Sequence, residues 1–124
     1  MNLVDSSGWL EYFTDGKNAK FFAPVIENSS ELIVSVINLY EVYKKVSSEK
    51  DDGSAIQVVA LMQQPKVVEI TSSISILAAK LSIKLKIPMA DSLIYATAKI
   101  YNAIVWTQDS DFENLEDIKY FKKN

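Results

Sequence analysis

Leu32-Ile33-Val34-Ser35-Val36 decides the fold class of this chain. It is a β-branched run flanked by polar residues, so it reads as a buried strand. The period then changes from two to that of a helix. Leu39, Val42, Tyr43 and Val46 recur at helical spacing within about Asn38 to Ser48. A strand that feeds a helix directly is the repeating unit of an α/β protein.

The same alternation extends in both directions. Toward the beginning lie a helix from about Asn18 to Glu27, a helix from about Ser7 to Phe13 closed by Asp15-Gly16, and a very short strand, Leu3-Val4. Asp5-Ser6-Ser7 supplies N-cap chemistry between that strand and its helix. Toward the other end, Ser47 to Ser54 is polar and turn-prone and reads as the tip of a helical hairpin. Its return helix spans about Ala55 to Gln64 and stops at Pro65. Val67-Val68-Glu69-Ile70 is a third strand, and Thr71-Ser72 caps a long helix to about Lys86. Pro88 opens a helix over about Met89 to Tyr101. Ile104-Val105-Trp106 is a fourth strand, Asp111 to Leu115 one helical turn, and Ile118 to Phe121 an edge strand blunted by Lys122 and Lys123. This order predicts one domain over residues 1–124, α/β in class, with a central, mostly parallel sheet and helices on both faces.

Composition narrows the chemistry. The 124 residues suit a single core. With no cysteine and no histidine, thiol nucleophiles, zinc-thiolate sites, imidazole ligands and a Ser-His-Asp triad are all excluded. Carboxylates, hydroxyls, lysines and metals remain. All thirteen basic residues are lysines, so no guanidinium fork is available to grip phosphate. The net charge of −3 argues against broad, charge-driven binding of nucleic acid. The first residues lack the pattern of a signal peptide. The most apolar stretch, Ile70 to Ile87, is interrupted by Lys80, Lys84 and Lys86, so no membrane span is expected and a cytoplasmic location follows by default.

Four acids fall at comparable places in this scheme. Asp5 follows strand one, Glu41 lies early in the helix after strand two, and Asp109 follows strand four. Asp91 begins the helix that feeds strand four. Each place lies at the carboxyl edge of the expected sheet, where open α/β sheets bind ligands. Each acid also has a purely structural explanation. Asp5 can cap a helix, Glu41 can pair with Lys45, Asp91 can favour a helix dipole, and Asp109 with Asp111 can form an Asx turn. Those explanations do not account for a shared rim. Clustered carboxylates repel one another unless a cation sits among them, which predicts a hard-metal site used on phosphate. Ser6, Thr107 and Ser110 can orient the acids or merely cap helices. Lys44 and Lys45 can contact phosphate or simply be solvated. Tyr12, Tyr40, Tyr43 and Tyr95 suit a core better than base stacking.

The residues now resemble a family. Leu3-Val4-Asp5-Ser6-Ser7 is similar to the opening motif of PIN-domain nucleases. Glu41 matches that family's acid after strand two. Pro88-Met89-Ala90-Asp91-Ser92-Leu93-Ile94-Tyr95-Ala96-Thr97-Ala98 resembles its "ADxLIxATA" helix, and Trp106-Thr107-Gln108-Asp109-Ser110-Asp111-Phe112 its closing "TxDxDF" motif. By size the nearest subgroup is the VapC-type toxins of toxin–antitoxin modules. The resemblance implies a PIN-like three-layer α/β/α sandwich and a Mg²⁺- or Mn²⁺-dependent endoribonuclease. It implies Asp5, Glu41, Asp91 and Asp109 as the catalytic acidic quartet, with Asp111 as an accessory acid and Thr107 in support. Within the quartet, Asp5, Asp91 and Asp109 are the first choices for metal ligands, and Ser6 is a further supporting hydroxyl. The resemblance further implies an RNA substrate, a homodimer and a small antitoxin partner. The absence of arginine departs from relatives that line their substrate groove with it. Among rivals, an aspartyl-phosphate phosphatase needs an acid where Ser7 stands. A receiver domain needs an Asp after strand three, where the chain reads Val68-Glu69-Ile70-Thr71. A degenerate, non-catalytic PIN module would usually have lost an acid, and none is missing.

Overall fold

A computed structural model describes residues 1–123 of the chain. Its elements are β1 (Asn2–Val4), α1 (Ser6–Phe13), α2 (Ala19–Glu27), β2 (Leu32–Ser35), α3 (Val36–Glu49), α4 (Asp52–Met62), β3 (Lys66–Val68), α5 (Ser72–Leu85), α6 (Met89–Ile100), β4 (Ile104–Thr107) and β5 (Ile118–Tyr120). The sheet order is β3-β2-β1-β4-β5, and every neighbouring pair is parallel. The mostly parallel sheet expected from sequence is therefore wholly parallel among the described residues.

Strand periodicity sorts the core into two layers. Leu3, Ile33 and Val105 pack on one face with Ile94, Tyr95 and Ala98 of α6, and Leu81 and Leu85 of α5 join them. Val4, Leu32 and Val34 pack on the other with Trp9, Phe22, Val42 and Met62, one from each of α1 to α4. Helices thus cover both faces, giving the three-layer α/β/α sandwich that the resemblance implies. Such cover is what a parallel sheet requires, and it explains why the central strands read as continuous apolar runs. No helix among the described residues is long and apolar enough to cross a membrane.

The connections create a crevice. Two crossovers carry the chain from β1 out to β3, and the third returns it to the opposite side of β1 as β4. β1 and β4 are therefore neighbours whose outgoing connections diverge. Ligands in open α/β sheets bind beyond the carboxyl ends at such a point.

Several boundaries move from the sequence reading for visible reasons. Val36 belongs to α3 rather than to β2, because Ser35 caps that helix and Asn38 returns the bond in a capping box. α4 starts at Asp52 rather than Ala55, since Asp51 accepts from the Ser54 N–H at 2.6 Å and caps it early. The third strand is Lys66–Val68, and Glu69-Ile70 lie outside it, just before Thr71 caps α5. The helical turn expected at Asp111–Leu115 is a 3-10 turn over Ser110–Phe112, begun by Asp109.

α1 lies close over the sheet because Gly8 has no side chain. A Cβ there would sit 2.6 Å from Val4 Cγ1 and 2.8 Å from the Phe22 ring. Gly8→Ala gains about 1 kcal/mol of helix propensity but meets an overpacking cost of about 1–3 kcal/mol. The expected result is a lower urea midpoint. A midpoint at or above wild type would mean that α1 can lift off the sheet freely.

Candidate active site

Asp5 is the hinge between β1 and α1. Its backbone N–H donates to the Trp106 carbonyl at 2.9 Å, which extends the β1–β4 ladder, and its side chain caps α1. The carboxylate is 3% exposed. One oxygen, Oδ2, accepts from Ser7 Oγ at 2.8 Å, Thr107 Oγ1 at 3.0 Å and the Ser7 N–H at 3.4 Å. No protein donor among the described residues reaches Oδ1. The capping role and a place at the rim therefore coexist.

Thr107, the last residue of β4, is fully buried. Its hydroxyl donates to Asp5 and accepts from the Asp109 N–H at 2.9 Å, so one side chain joins the ends of both strands. Asp109 Oδ1 in turn accepts from the Asp111 N–H at 2.9 Å, the Asx-type turn read from sequence. Asp91 enters from the first turn of α6 and is 8% exposed. Oxygens of Asp91, Asp109 and Asp111 lie within 4.8 Å of one another. Asp5 is not in that triad but lines the same groove.

Glu41 lines the groove from α3. Ser6 Oγ donates to its Oε1 at 2.7 Å, and Asn38 Nδ2 donates to Ser6 at 3.0 Å. The pairing of Glu41 with Lys45 suggested by their spacing does not form. Lys45 bridges to Glu49 at 2.9 Å instead, because Glu41 is turned toward Ser6 while Glu49 lies one turn further on. Lys44 and Lys45 part company. Lys45 lines the acidic groove, whereas Lys44 sits 5.7 Å above the Tyr40 ring, on a different surface. Tyr95 is buried and donates to the Glu116 carbonyl, and Tyr12 donates to Glu27, so neither serves the groove.

The groove holds about 460 Å³ and is lined by Asp5, Glu41, Asp91 and Asp109, with Lys45 and Lys123 also lining it. Burial strips water from Asp5 and raises its pKa from 3.8 to about 6, against the opposing pull of the Ser7 and Thr107 hydroxyls. Asp91 rises further, to about 8, through burial first, then hydrogen bonding to the Asp111 carboxyl and repulsion from Asp109 and Asp5. The oxygen-only donors, burial and mutual repulsion fit a hard divalent cation. Two contributors escaped the sequence reading. Asn38 was legible as the partner in a Ser35-x-x-Asn38 capping box, but its hold on Ser6 was not. Gln108 carried no signal, and only the fold shows it lining the groove.

Residues 3–118 match the family model described as PIN domain. No curated protein matches the chain by sequence. Among solved structures, a toxin–antitoxin complex from Klebsiella pneumoniae is similar with a TM-score of 0.80 at 17% identity, covering 99% of this chain and 100% of that one. VapC20 of Mycobacterium tuberculosis, described as a sarcin-ricin loop cleaving toxin, gives 0.78 at 13% identity, with 94% and 95% covered. DNA-bound VapBC from Salmonella typhimurium gives 0.75 at 16% identity, with 98% of each chain covered. At these identities the likeness is one of fold.

The raised pKa values carry a sign for stability. A folded chain that keeps protons on Asp91 and Asp5 binds more protons than the unfolded chain, so stability falls as pH rises. The window runs from 3.8 to about 6 for Asp5 and from 3.8 to about 8 for Asp91. Asn at position 91 mimics the protonated acid. In chelator, the Tm of Asp91→Asn relative to wild type is expected to climb between pH 5 and pH 8. A pH-independent difference would show that Asp91 ionises as readily in the folded chain as in the unfolded one.

Proposed function

The chain belongs to the PIN-domain family, and from that premise we propose that it is a metal-dependent endoribonuclease, the toxin component of a VapBC-like toxin–antitoxin pair. One observation carries the reading. Asp5, Glu41, Asp91 and Asp109, drawn from four separate parts of the chain, line one groove at the carboxyl edge of the sheet with little internal compensation. Such a cluster costs stability, and a cation used on phosphate gives it a purpose. A degenerate PIN module would usually have lost one of these acids, and none is missing.

In this proposal Asp5, Asp91 and Asp109 hold Mg²⁺ or Mn²⁺, and Asp111 is an accessory acid. When bound there, the cation supplies acidification of water and neutralisation of charge on the attacked phosphodiester. The side chains do the positioning. Thr107 sets the Asp5 carboxylate by donating to Oδ2, which leaves Oδ1 for the groove, and it fixes the backbone of Asp109 through the same hydroxyl. Ser6, itself held by Asn38, aims Glu41. Glu41 then orients the attacking water and accepts its proton. These supporting bonds matter because catalytic geometry tolerates little slack.

Partners follow from the same reading. The solved relatives include complexes of a toxin with its antitoxin. The proposal therefore includes a small antitoxin protein, a homodimer, RNA as substrate and a cytoplasmic setting.

The test is cleavage of total RNA with Mn²⁺, wild type beside Asp91→Asn and Asp5→Asn. Each variant is expected to lose at least about a hundredfold in rate while its far-UV dichroism stays native. Mn²⁺ should raise the Tm of wild type, and raise it less in either variant. Full cleavage by a purified variant would sink the assignment. Cation stabilisation without any RNA cleavage would favour the binding-module alternative.

A further inference from the structure

The groove is acidic, yet a polyanionic substrate needs a cation beside it, and the chain has no arginine. Two lysines line the groove, and their circumstances differ. Lys45 is engaged by Glu49 at 2.9 Å. Lys123 has no ion-pair partner among the described residues.

Lys123 is also delivered there by a specific arrangement. The Phe121 N–H donates to the Thr107 carbonyl at 2.9 Å, which carries the β4–β5 pairing one residue past β5. The Phe121 ring is stacked between Phe21, at 4.6 Å, and Trp106, at 5.9 Å, with the edge of Phe22 against it at 5.5 Å. At the next residue, the Lys122 carbonyl accepts from Asn18 Nδ2 at 3.0 Å. The same amide nitrogen donates to Gln108 Oε1 at 2.9 Å. Asn18 and Gln108 are 3% and 5% exposed. The Gln108 N–H donates to Ser7 Oγ at 3.2 Å, beside Asp5. Aromatic stacking and a buried amide pair thus tie the segment after β5 to the loop that carries Asp109. Both buried amides are hydrogen-bonded, which makes their burial tolerable and fixes the segment in place.

We infer that Lys123 is the phosphodiester-binding cation of this groove, and that Asn18 and Gln108 are positioning residues that hold it beside the acids. The inference deepens the ribonuclease reading and rests on it for the identity of the phosphodiester. A point charge on a flexible stem reads backbone phosphate rather than base, so the contact adds affinity without sequence preference.

The experiment compares wild type with Lys123→Ala, Lys123→Arg, Lys84→Ala and Asn18→Ala. Lys84 lies on exposed α5 surface, away from the groove, and serves as the control. Cleavage of a single-stranded RNA is followed with Mn²⁺. Binding of the same RNA is followed with Ca²⁺ in place of Mn²⁺, between 50 and 200 mM salt. Lys123→Ala is expected to raise KM and Kd by about three- to tenfold, with kcat within about twofold of wild type. The slope of log Kd against log salt should become shallower by about 0.7, the value for one phosphate contact on a single strand. Lys123→Arg should restore both. Asn18→Ala should raise KM in the same direction and add little when combined with Lys123→Ala. The inference is overturned if Lys123→Ala leaves Kd and salt slope at the wild-type values, if Lys84→Ala weakens binding equally, or if arginine fails to rescue. A merely structural role for Lys123 would appear as a lower Tm with RNA affinity unchanged. If wild type binds RNA without cleaving it, the nuclease reading fails while the binding arm still decides the role of Lys123. If it does not bind RNA at all, both fail.

Discussion

The pairing of β1 with β4 is the constraint on which the rest of the molecule depends. Asn2, Leu3 and Val4 align with Ile104, Val105 and Trp106, and the Asp5 N–H adds one more bond to the ladder. A strand this short is not held by its ladder alone. Leu3 and Val4 are fully buried on opposite faces of the sheet, so each layer of helices grips the strand from its own side. That grip sets Asp5 against Thr107, 102 residues away in sequence. The Thr107 hydroxyl then passes the alignment to Asp109. A slip of one residue between these strands would exchange the two faces of β1 and part the carboxylates.

The site works against the fold that holds it. Burial and mutual repulsion raise the pKa values of Asp91 and Asp5, so ionising them costs more in the folded chain than in the unfolded one. The scaffold offsets the cost with rigid supports: a capped α1 over Gly8, the Ser35–Asn38 box, and a threonine with no exposed surface. The same parts that stabilise the chain also aim the acids. Asn38 completes the capping box of α3 and holds Ser6, while Ser7 binds Asp5 and the Gln108 backbone. Substitution at these positions therefore perturbs stability and geometry together, and rescue or binding measurements are needed to separate the two.

Few cationic groups reach the acidic groove. Lys44 lies over Tyr40 and Lys45 is held by Glu49, so neighbouring lysines in one helix have unlike environments. The segment beyond β5 brings Lys123 to the groove by a separate route, through aromatic stacking and the Asn18–Gln108 amides.

Much of this was legible in the residues alone. Continuous β-branched runs that hand over to helical spacing identify buried parallel strands, because only strands covered on both faces read that way. The placement of Asp5, Glu41, Asp91 and Asp109 at strand ends and helix starts put them on one rim, since topology alone brings those places together. Local hydrogen bonding moved the boundaries: Ser35 with Asn38 drew Val36 into a helix, and Asp51 started α4 early. What only the tertiary structure decided were the pairings between distant side chains. The choice of Ser6 rather than Lys45 by Glu41, the Thr107 clasp, and the bracket that brings Lys123 to the groove join residues 35 to 104 positions apart. Sequence periodicity reports which face of an element is apolar. It carries no information about which polar groups will meet across the chain, because that depends on the register of strands and the seating of helices once the core has closed.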